Sequence, residues 1–266
     1  MTGILIESYD ELPLWSAPFG LMLLETIRLR AGMKVLDIGS GHGFPLLEIA
    51  DRLGIPGHVT GLDPLEDACQ IITAKITHRE VKNATIVEGV AEKIPFDNDQ
   101  FDLITSNNGL NNVNDQCVAL KECYRVAKPG AQMVMTMNLP YTMIEFYDFF
   151  EEVLREKGLT KEVDQMQVHI ASKRKPVEFL KDLIISAGFA IKSIDVDGFK
   201  YRFTDAEAML RHFTIKNYFL PSWKSILPAD KADEIIGETA NRINNLCRQK
   251  GEFTLSIPFV CFDCYK

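Results

Sequence analysis

The chain has 266 residues, of which 46% are hydrophobic and 25% charged, and its formal net charge is -8. This composition predicts a folded protein with a substantial core. The negative charge argues against DNA or RNA as a regular partner, because phosphate binding needs clustered Lys and Arg. The basic runs at 28–34 and 172–175 are short, and we interpret them as a helix end and a solvated loop.

Membrane and secretory signals do not stand out in the sequence. No apolar run approaches the roughly 20 residues that a bilayer-spanning helix needs. The stretch "MTGILIESYDELPLW" carries acids and no basic region, which is not typical of a secretory signal. We therefore expect a cytoplasmic protein.

The first half of the chain alternates between two apolar patterns. Short buried-strand runs are predicted at 34–38, 58–62, 84–89, 101–107 and 131–138. Helical spacing is predicted at 20–29, 45–53, 65–79 and 115–127. This alternation indicates parallel βαβ units with right-handed crossovers, in a sheet covered on both faces.

The second half is less regular. Amphipathic helices are predicted at 142–158 and 176–188, a strand at 190–203, a helical stretch at 205–250 and a closing strand at 252–265. No repeat or flexible linker interrupts the chain, so we predict a single domain over 1–266 with an elaborated C-terminal half.

The six cysteines are expected to be free thiols, because a cytoplasmic protein keeps its thiols reduced. The one CxxC pair, Cys261 and Cys264, lies in the predicted closing strand, where positions three apart point to opposite faces. That placement fits neither a zinc site nor a redox pair, and no metal is predicted.

A glycine-rich turn, "VLDIGSGHGFPLLEIA" over 35–50, follows the first predicted strand. Glycine lets the chain turn tightly and lets a ligand approach the backbone, and a helix is predicted to begin with Phe44 and Pro45. The dinucleotide fingerprint G-x-G-x-x-G/A fails, because its last position would be Phe44 or Leu46, and that position must be small. Hydride transfer with NAD is therefore disfavoured.

Four motifs in order resemble the class I S-adenosylmethionine-dependent methyltransferases, in the subgroup that includes quinone-biosynthesis C-methyltransferases and arsenite methyltransferases. They are "VLDIGSGHG", "VTGLDP", "EGVAEKIPFDNDQFDLI" and "LKECYRVAKPGAQMVM", within residues 31–138. The resemblance implies a Rossmann-like, doubly wound, seven-stranded sheet whose last strand is antiparallel. It also implies S-adenosylmethionine as the cofactor, bound by the 31–138 core.

Several residues acquire cofactor roles from this resemblance: Asp37, Gly39, Gly41, Gly43, Asp63, Pro64, Val90, Ala91, Glu92 and Asn107. Asp63 is expected to accept hydrogen bonds from the ribose hydroxyls, or alternatively to cap the next helix. Asp37 is expected to face the cationic methionine portion, or alternatively to be satisfied by loop N–H groups.

One position departs from the family pattern. The family usually has an acid for the adenine amino group where this chain has Val90. Val90 cannot accept that hydrogen bond, so we predict that the backbone at Ala91 and the packing of Ile94 hold the ring. The Glu92 side chain either accepts a hydrogen bond from the adenine amino group or faces solvent.

The stretch "SNNGLNNVND" ends the fourth predicted strand, where ligands bind in open α/β sheets. Asn108, Asn111 and Asn112 are therefore substrate candidates, with ordinary turn chemistry as the alternative. The stretch matches neither the "[D/N]-P-P-[Y/F/W]" of base-amine methylation nor the Pro-Cys of cytosine methylation.

The helical additions at 142–188 and 204–251 are predicted to lie near the substrate. The connection 204–251 carries Phe213, Tyr218, Phe219, Leu220 and Trp223, and it either forms a lid or is an ordinary amphipathic helix. Candidate substrate or base residues are Tyr141, Tyr147, His169 and His212, and the N-terminal Tyr9 or Trp15 could cover the cofactor.

We therefore predict a methyltransferase acting on a small, apolar molecule. The alternatives are a non-catalytic S-adenosylmethionine-binding protein and a protein or tRNA methyltransferase.

Overall fold

The computed structural model describes residues 14–266. Their contacts divide into two compact units. The first unit contains the chain up to Asn138, together with Pro176–Asp197 and Phe259–Lys266. The second contains Leu139–Lys175 and Gly198–Pro258.

A seven-stranded sheet has the order β3-β2-β1-β4-β5-β7-β6. Its strands are β1 (Lys34–Ile38), β2 (His58–Asp63), β3 (Ala84–Glu88), β4 (Phe101–Asn107), β5 (Ala127–Asn138), β6 (Ala190–Phe203) and β7 (Phe253–Tyr265). Strands β1 to β5 pair in parallel, whereas β7 is antiparallel to β5. The predicted sheet is confirmed, including the antiparallel last strand.

Strands β1, β2 and β4 are buried along almost their whole length, as expected for a sheet covered on both faces. The first unit supplies its helices α1 (Ala17–Thr26), α2 (Leu46–Leu53), α3 (Glu66–His78), α4 (Gln116–Val126) and α7 (Val177–Ser186). Helix α2 begins at Leu46, directly after the predicted first residues Phe44 and Pro45, and Pro45 occupies its N-cap.

All six cysteines are free thiols, as predicted. Cys261 pairs in register with Thr136 and Cys264 with Met133. The two side chains therefore lie on opposite faces of β7, and both are buried. Within residues 14–266, no group of three His, Cys, Asp or Glu residues could hold a metal ion. No helix in the same part of the chain is long and apolar enough to cross a membrane.

The second unit is mainly helical. It contains α5 (Ile144–Glu156), α6 (Thr160–Lys173), α8 (Ala206–Arg211), a π-helical turn (Ile215–Phe219), α9 (Leu220–Lys224) and α10 (Ala232–Lys250). Gly158 follows the last turn of α5 with φ +70, the left-handed conformation that glycine commonly adopts just after a helix. The stretch 205–250 is helical as expected, but it is divided into four pieces.

Two features of the second unit differ from the sequence-based expectation. Helix α6 was not predicted, because its hydrophobic residues are few and only Val163 and Met166 are buried. The basic run 172–175 is not wholly a solvated loop, since Ser172 and Lys173 end α6 and the Arg174 side chain is buried.

Candidate functional site

The glycine turn connects β1 to α2 with three positive φ angles. Gly39, Gly41 and Gly43 have φ of +72, +53 and +96, a region that side-chain-bearing residues rarely adopt. A Cβ on Gly39 would lie 2.7 Å from the Cα of Gly109, so two backbone segments meet there without room for a side chain. A Cβ on Gly41 would meet nothing within 4 Å. The turn is therefore closed beneath Gly39 and open at Gly41.

Asp37 lies near the carboxyl end of β1 and has a carboxylate that is only partly satisfied. Its Oδ1 accepts a hydrogen bond from Thr105 Oγ1 at 2.7 Å, whereas its Oδ2 is buried and has no hydrogen-bond partner among the described residues. Burial raises the pKa of Asp37 from 3.8 to about 6, although hydrogen bonds from Thr105 and Ser40 act in the opposite direction. One acceptor atom is thus available at the base of the turn.

Asp63 lies at the carboxyl end of β2 and contacts the same turn. Its Oδ2 accepts from the Gly41 N–H at 2.8 Å and its Oδ1 from the Leu65 N–H at 3.0 Å. The hydrogen bond from the Leu65 N–H lies at the entry to α3 and corresponds to the capping alternative that the sequence left open. The hydrogen bond from the Gly41 N–H links Asp63 to the glycine turn. Each oxygen keeps a further lone pair. Pro64 follows at an exposed bend.

The stretch after β3 holds the residues predicted to contact adenine. Ala91 and Ile94 are buried, whereas Val90 is 43% exposed. Glu92 accepts hydrogen bonds through Oε1 from the Asn114 N–H at 2.7 Å and the Asp115 N–H at 3.2 Å. Glu92 therefore joins this stretch to the loop after β4, a role that neither alternative from the sequence described.

The asparagines after β4 bond to one another and to the backbone. Asn107 donates to the Ser16 carbonyl at 3.1 Å and accepts from Thr136 Oγ1 at 3.0 Å. Asn111 donates to the side-chain oxygens of Asn108 and Asn138. Asn108 adopts φ +62, a left-handed conformation for which asparagine is suited.

These bonds give the asparagines a structural role, because the network fixes the loop over the end of β5. The Asn138 N–H donates to Asn108 Oδ1 at 3.2 Å, and the exposed Asn112 donates to the Asn108 carbonyl at 3.5 Å. A role for Asn108, Asn111 and Asn112 in substrate binding stays a prediction.

Two residues of this site were missed by the sequence reasoning. Gly109 is needed where its backbone meets Gly39, and Asn138 completes the asparagine network. For Gly109, the sequence did offer a signal, because a single glycine stands among four asparagines. No local pattern could have identified Asn138, which is brought to the loop by the pairing of β4 with β5.

Three further candidates, Tyr141, Tyr147 and His212, lie in the second unit. Tyr141 is 72% exposed and has φ +70. The Tyr147 ring is buried, and its hydroxyl accepts a hydrogen bond from Trp223 Nε1 at 3.1 Å. His212 has a buried Nδ1 with no hydrogen-bond partner among the described residues, and burial lowers the pKa of its imidazole. His212 is thus a neutral ring at neutral pH.

The aromatic residues between 213 and 223 have two different environments. Trp223 is fully buried and stacks on Phe146 with ring centroids 3.7 Å apart, so it belongs to the core of the second unit. Phe213 and Tyr218 are 69% and 60% exposed. Of the N-terminal candidates, Trp15 packs near Phe19, with centroids 5.7 Å apart, and Tyr9 lies outside the described residues.

A parallel sheet with an antiparallel last strand, a glycine turn after β1 and an acid at the end of β2 together define a nucleotide-type cofactor site.

Comparisons with known proteins agree with this assignment of the site. Residues 29–213 match the family described as "Methyltransferase domain". A demethylmenaquinone methyltransferase of Listeria monocytogenes serotype 4a is 36% identical over 135 residues, covering 49% of this chain and 57% of that protein.

A protein of the same name from Anoxybacillus flavithermus is 30% identical over 197 residues, covering 71% of this chain and 81% of that protein. The solved structure of the YcgJ protein from Bacillus subtilis has a TM-score of 0.61 at 18% identity, covering 93% of this chain and 97% of that one. The last likeness concerns the fold alone.

The chain belongs to the class I S-adenosylmethionine-dependent methyltransferase family, and the family resemblance seen in the sequence is confirmed. The cofactor of the family is S-adenosylmethionine. The residues present fit it, because Asp37 Oδ2 is an unsatisfied acceptor and Gly41 has open space beside it. The chain spans 57% of the length of the Listeria relative.

Proposed function

We propose that this protein transfers the methyl group of S-adenosylmethionine to a small, largely apolar acceptor of the quinone class. The observation that carries the proposal is the buried, unsatisfied Oδ2 of Asp37 at the base of the glycine turn. The acceptor class comes from the relatives, which are named demethylmenaquinone methyltransferases.

The cofactor would be held by three parts of the first unit. Asp37 would accept a hydrogen bond from the cationic methionine portion, and Asp63 would accept from the ribose hydroxyls through its remaining lone pairs. The backbone at Ala91 and the side chain of Ile94 would pack on the adenine ring. Val90 offers that ring no acceptor.

The cofactor supplies a methyl group already activated on a sulfonium. The task of the protein is then to align the acceptor with that methyl and to exclude water. A general base is needed only where the acceptor carbon or heteroatom must lose a proton. Tyr141 and the neutral His212 remain the candidates for contact with the acceptor.

The prediction that residues 204–251 close over the acceptor stays a prediction. Phe213 and Tyr218 are the side chains with which to test it, since their exposure means that serine substitutions should leave the fold intact. If the segment covers the acceptor, Phe213→Ser with Tyr218→Ser should raise the acceptor KM and leave the cofactor Kd unchanged.

We further infer that the acceptor is a small molecule and that nucleic acid is not a partner, on the basis of the net charge of -8. A cytoplasmic location is inferred from the sequence. The alternatives, a protein or tRNA methyltransferase and a non-catalytic cofactor-binding protein, are separated from this proposal by the transfer assay below.

The experiment is to incubate the protein with trideuteromethyl-labelled S-adenosylmethionine and a reduced demethylmenaquinone analogue that has one prenyl group. Mass spectrometry of the extracted quinone should show the gain of one labelled methyl, and the Gly41→Ala variant should supply the background. Cofactor binding without transfer to this acceptor would contradict the proposal and favour the non-catalytic alternative. Label found on protein or tRNA would favour the alternative of a protein or tRNA methyltransferase.

A further inference from the structure

Arg174 is a buried cation in the second unit, directly after α6. Its side chain is 5% exposed, and its guanidinium lies over the Tyr147 ring at 5.5 Å from the centroid. Its Nε and Nη1 atoms are buried and donate no hydrogen bond to any residue in the range 14–266. Cation–π contact with Tyr147 satisfies part of the charge but neither of these two donors.

Other arginines of the same unit have a different environment. Arg155, Arg202 and Arg242 each pair with a glutamate, and Arg155 and Arg202 are exposed while Arg242 is half-buried. An arginine side chain does not lose its proton in proteins, so burial cannot be compensated by neutralisation. An uncompensated buried charge is strongly destabilising, and an apolar side chain of similar volume would avoid that cost.

Among residues 14–266, neither Nε nor Nη1 of Arg174 has a carboxylate as a hydrogen-bond partner. His169 Nε2 lies 3.4 Å from Ser222 Oγ, and the Tyr147 hydroxyl accepts from Trp223 Nε1. Burial, followed by the charges of Arg174 and Lys173, lowers the pKa of His169. Arg174 is thus a buried cation that lies over an aromatic ring, an environment in which an anion would be bound strongly.

We propose that Arg174 is the binding site for an anionic oxygen of an aromatic small molecule, either a carboxylate or an ionised ring hydroxyl. The two free donors match the hydrogen-bonding capacity of such an oxygen group, and charge-assisted bonds of this kind are the strong ones. This binding site of the second unit goes beyond the function proposed above.

The test is calorimetry with three naphthalene probes, in the presence of saturating S-adenosylhomocysteine. The probes are 2-naphthoate for the carboxylate, 2-hydroxy-1,4-naphthoquinone for the ionised hydroxyl and neutral 2-naphthalenemethanol as the reference. One of the two anions should bind the wild-type protein, and R174M should weaken it by about 10- to 100-fold. The neutral alcohol should bind both proteins equally.

The exposed Arg211 in α8 supplies the matched control, and R211M should bind every probe as the wild type does. Without ligand, R174M should melt at the same temperature as the wild type or higher, because the uncompensated charge has been removed. Equal affinity of R174M and wild type for both anions would overturn the proposal. The proposal would also be overturned if R174M melts at a lower temperature than the wild type and neither anion changes the melting temperature of either protein.

Residues 1–13 contain Glu7, Asp10 and Glu11, which could supply an internal partner. If E7Q/D10N/E11Q lowers the melting temperature as much as R174M, with no further loss on combination, Arg174 belongs to an ion pair and the proposal is overturned. If the wild type binds an anion but not S-adenosylhomocysteine, the anion site stands and the proposed function is overturned.

Discussion

The two units of this protein show two ways of holding a buried polar side chain. In the first unit, Asp63 bonds to the Gly41 N–H and Ser106 to the Ile38 carbonyl, so the backbone of neighbouring segments positions them. In the second, Tyr147 and Arg174 lie against aromatic rings. A site built on backbone geometry suits a cofactor shared by a whole family, whereas a site built on side-chain packing can differ from one member to the next.

The largest expected effect lies in the aromatic core of the second unit. Trp223 is fully buried against Phe146, so Trp223→Ala should lower the free energy of unfolding by about 3–5 kcal/mol. Denaturant titration measures this loss. The exposed Phe213 is the control, and Phe213→Ala should change the same quantity by less than about 0.5 kcal/mol. Similar losses for both variants would mean that Trp223 does not anchor this unit.

The next effect concerns the buried carboxyl of Asp37. Its pKa in the folded protein is about 6 against an ordinary 3.8, so the folded state holds a proton that the unfolded chain has released between those pH values. The free energy of unfolding should therefore fall by up to about 3 kcal/mol as the pH rises through this window. Asp37→Asn keeps an acceptor for Thr105 and should remove this dependence.

Thermal melts of the cofactor-free protein from pH 4 to pH 7 measure that difference. The wild type should lose stability relative to Asp37→Asn as the pH rises. Parallel curves for the two proteins would show that the Asp37 carboxyl is not buried in the manner described.

A smaller effect is expected at Asp63. Loss of its charge-assisted hydrogen bonds to the ribose should weaken S-adenosylmethionine binding by about 1.5–3 kcal/mol in Asp63→Ala. Calorimetry gives the Kd, and circular dichroism checks that the fold persists without the bond to Gly41. An unchanged Kd in a folded variant would remove Asp63 from the site.

The smallest effect is expected at Val90. Because this side chain is 43% exposed, Val90→Asp can supply an acceptor for the adenine amino group without burying a charge. The affinity for S-adenosylmethionine should stay the same or rise by less than about tenfold, the ratio that corresponds to 1.4 kcal/mol. A large loss of affinity with the fold intact would mean that Val90 packs against an apolar group of the ligand.

The first unit could be predicted from the sequence in considerable detail, because its signals are local. The glycine turn, the acid at the end of β2 and the alternation of strands and helices each depend on residues close together in the chain. The antiparallel direction of β7 came from the family resemblance. What local patterns could not supply was the asparagine network, because Asn138 reaches Asn111 only through the pairing of two strands.

The second unit was predicted less well for the same physical reason. Helix α6 buries few hydrophobic residues and has no strong periodic pattern. The run containing Arg174 has the composition of a solvated loop, and its burial depends on an aromatic ring from another helix. For the segment with Trp223 the sequence left a lid and an ordinary amphipathic helix open, and Trp223 lies in the core of the second unit. A sequence cannot distinguish these environments when both favour aromatic residues.

The most direct test of the cofactor site is a calorimetric comparison of Gly41→Ala with Gly130→Ala. Both glycines have positive φ, of +53 and +77, and a Cβ on either meets nothing within 4 Å, so both variants carry backbone strain of the same kind. If S-adenosylmethionine lies on the glycine turn, the new methyl group at residue 41 should weaken its binding strongly, and Gly130→Ala should bind as the wild type does. Equal affinities in the two variants would contradict the central claim.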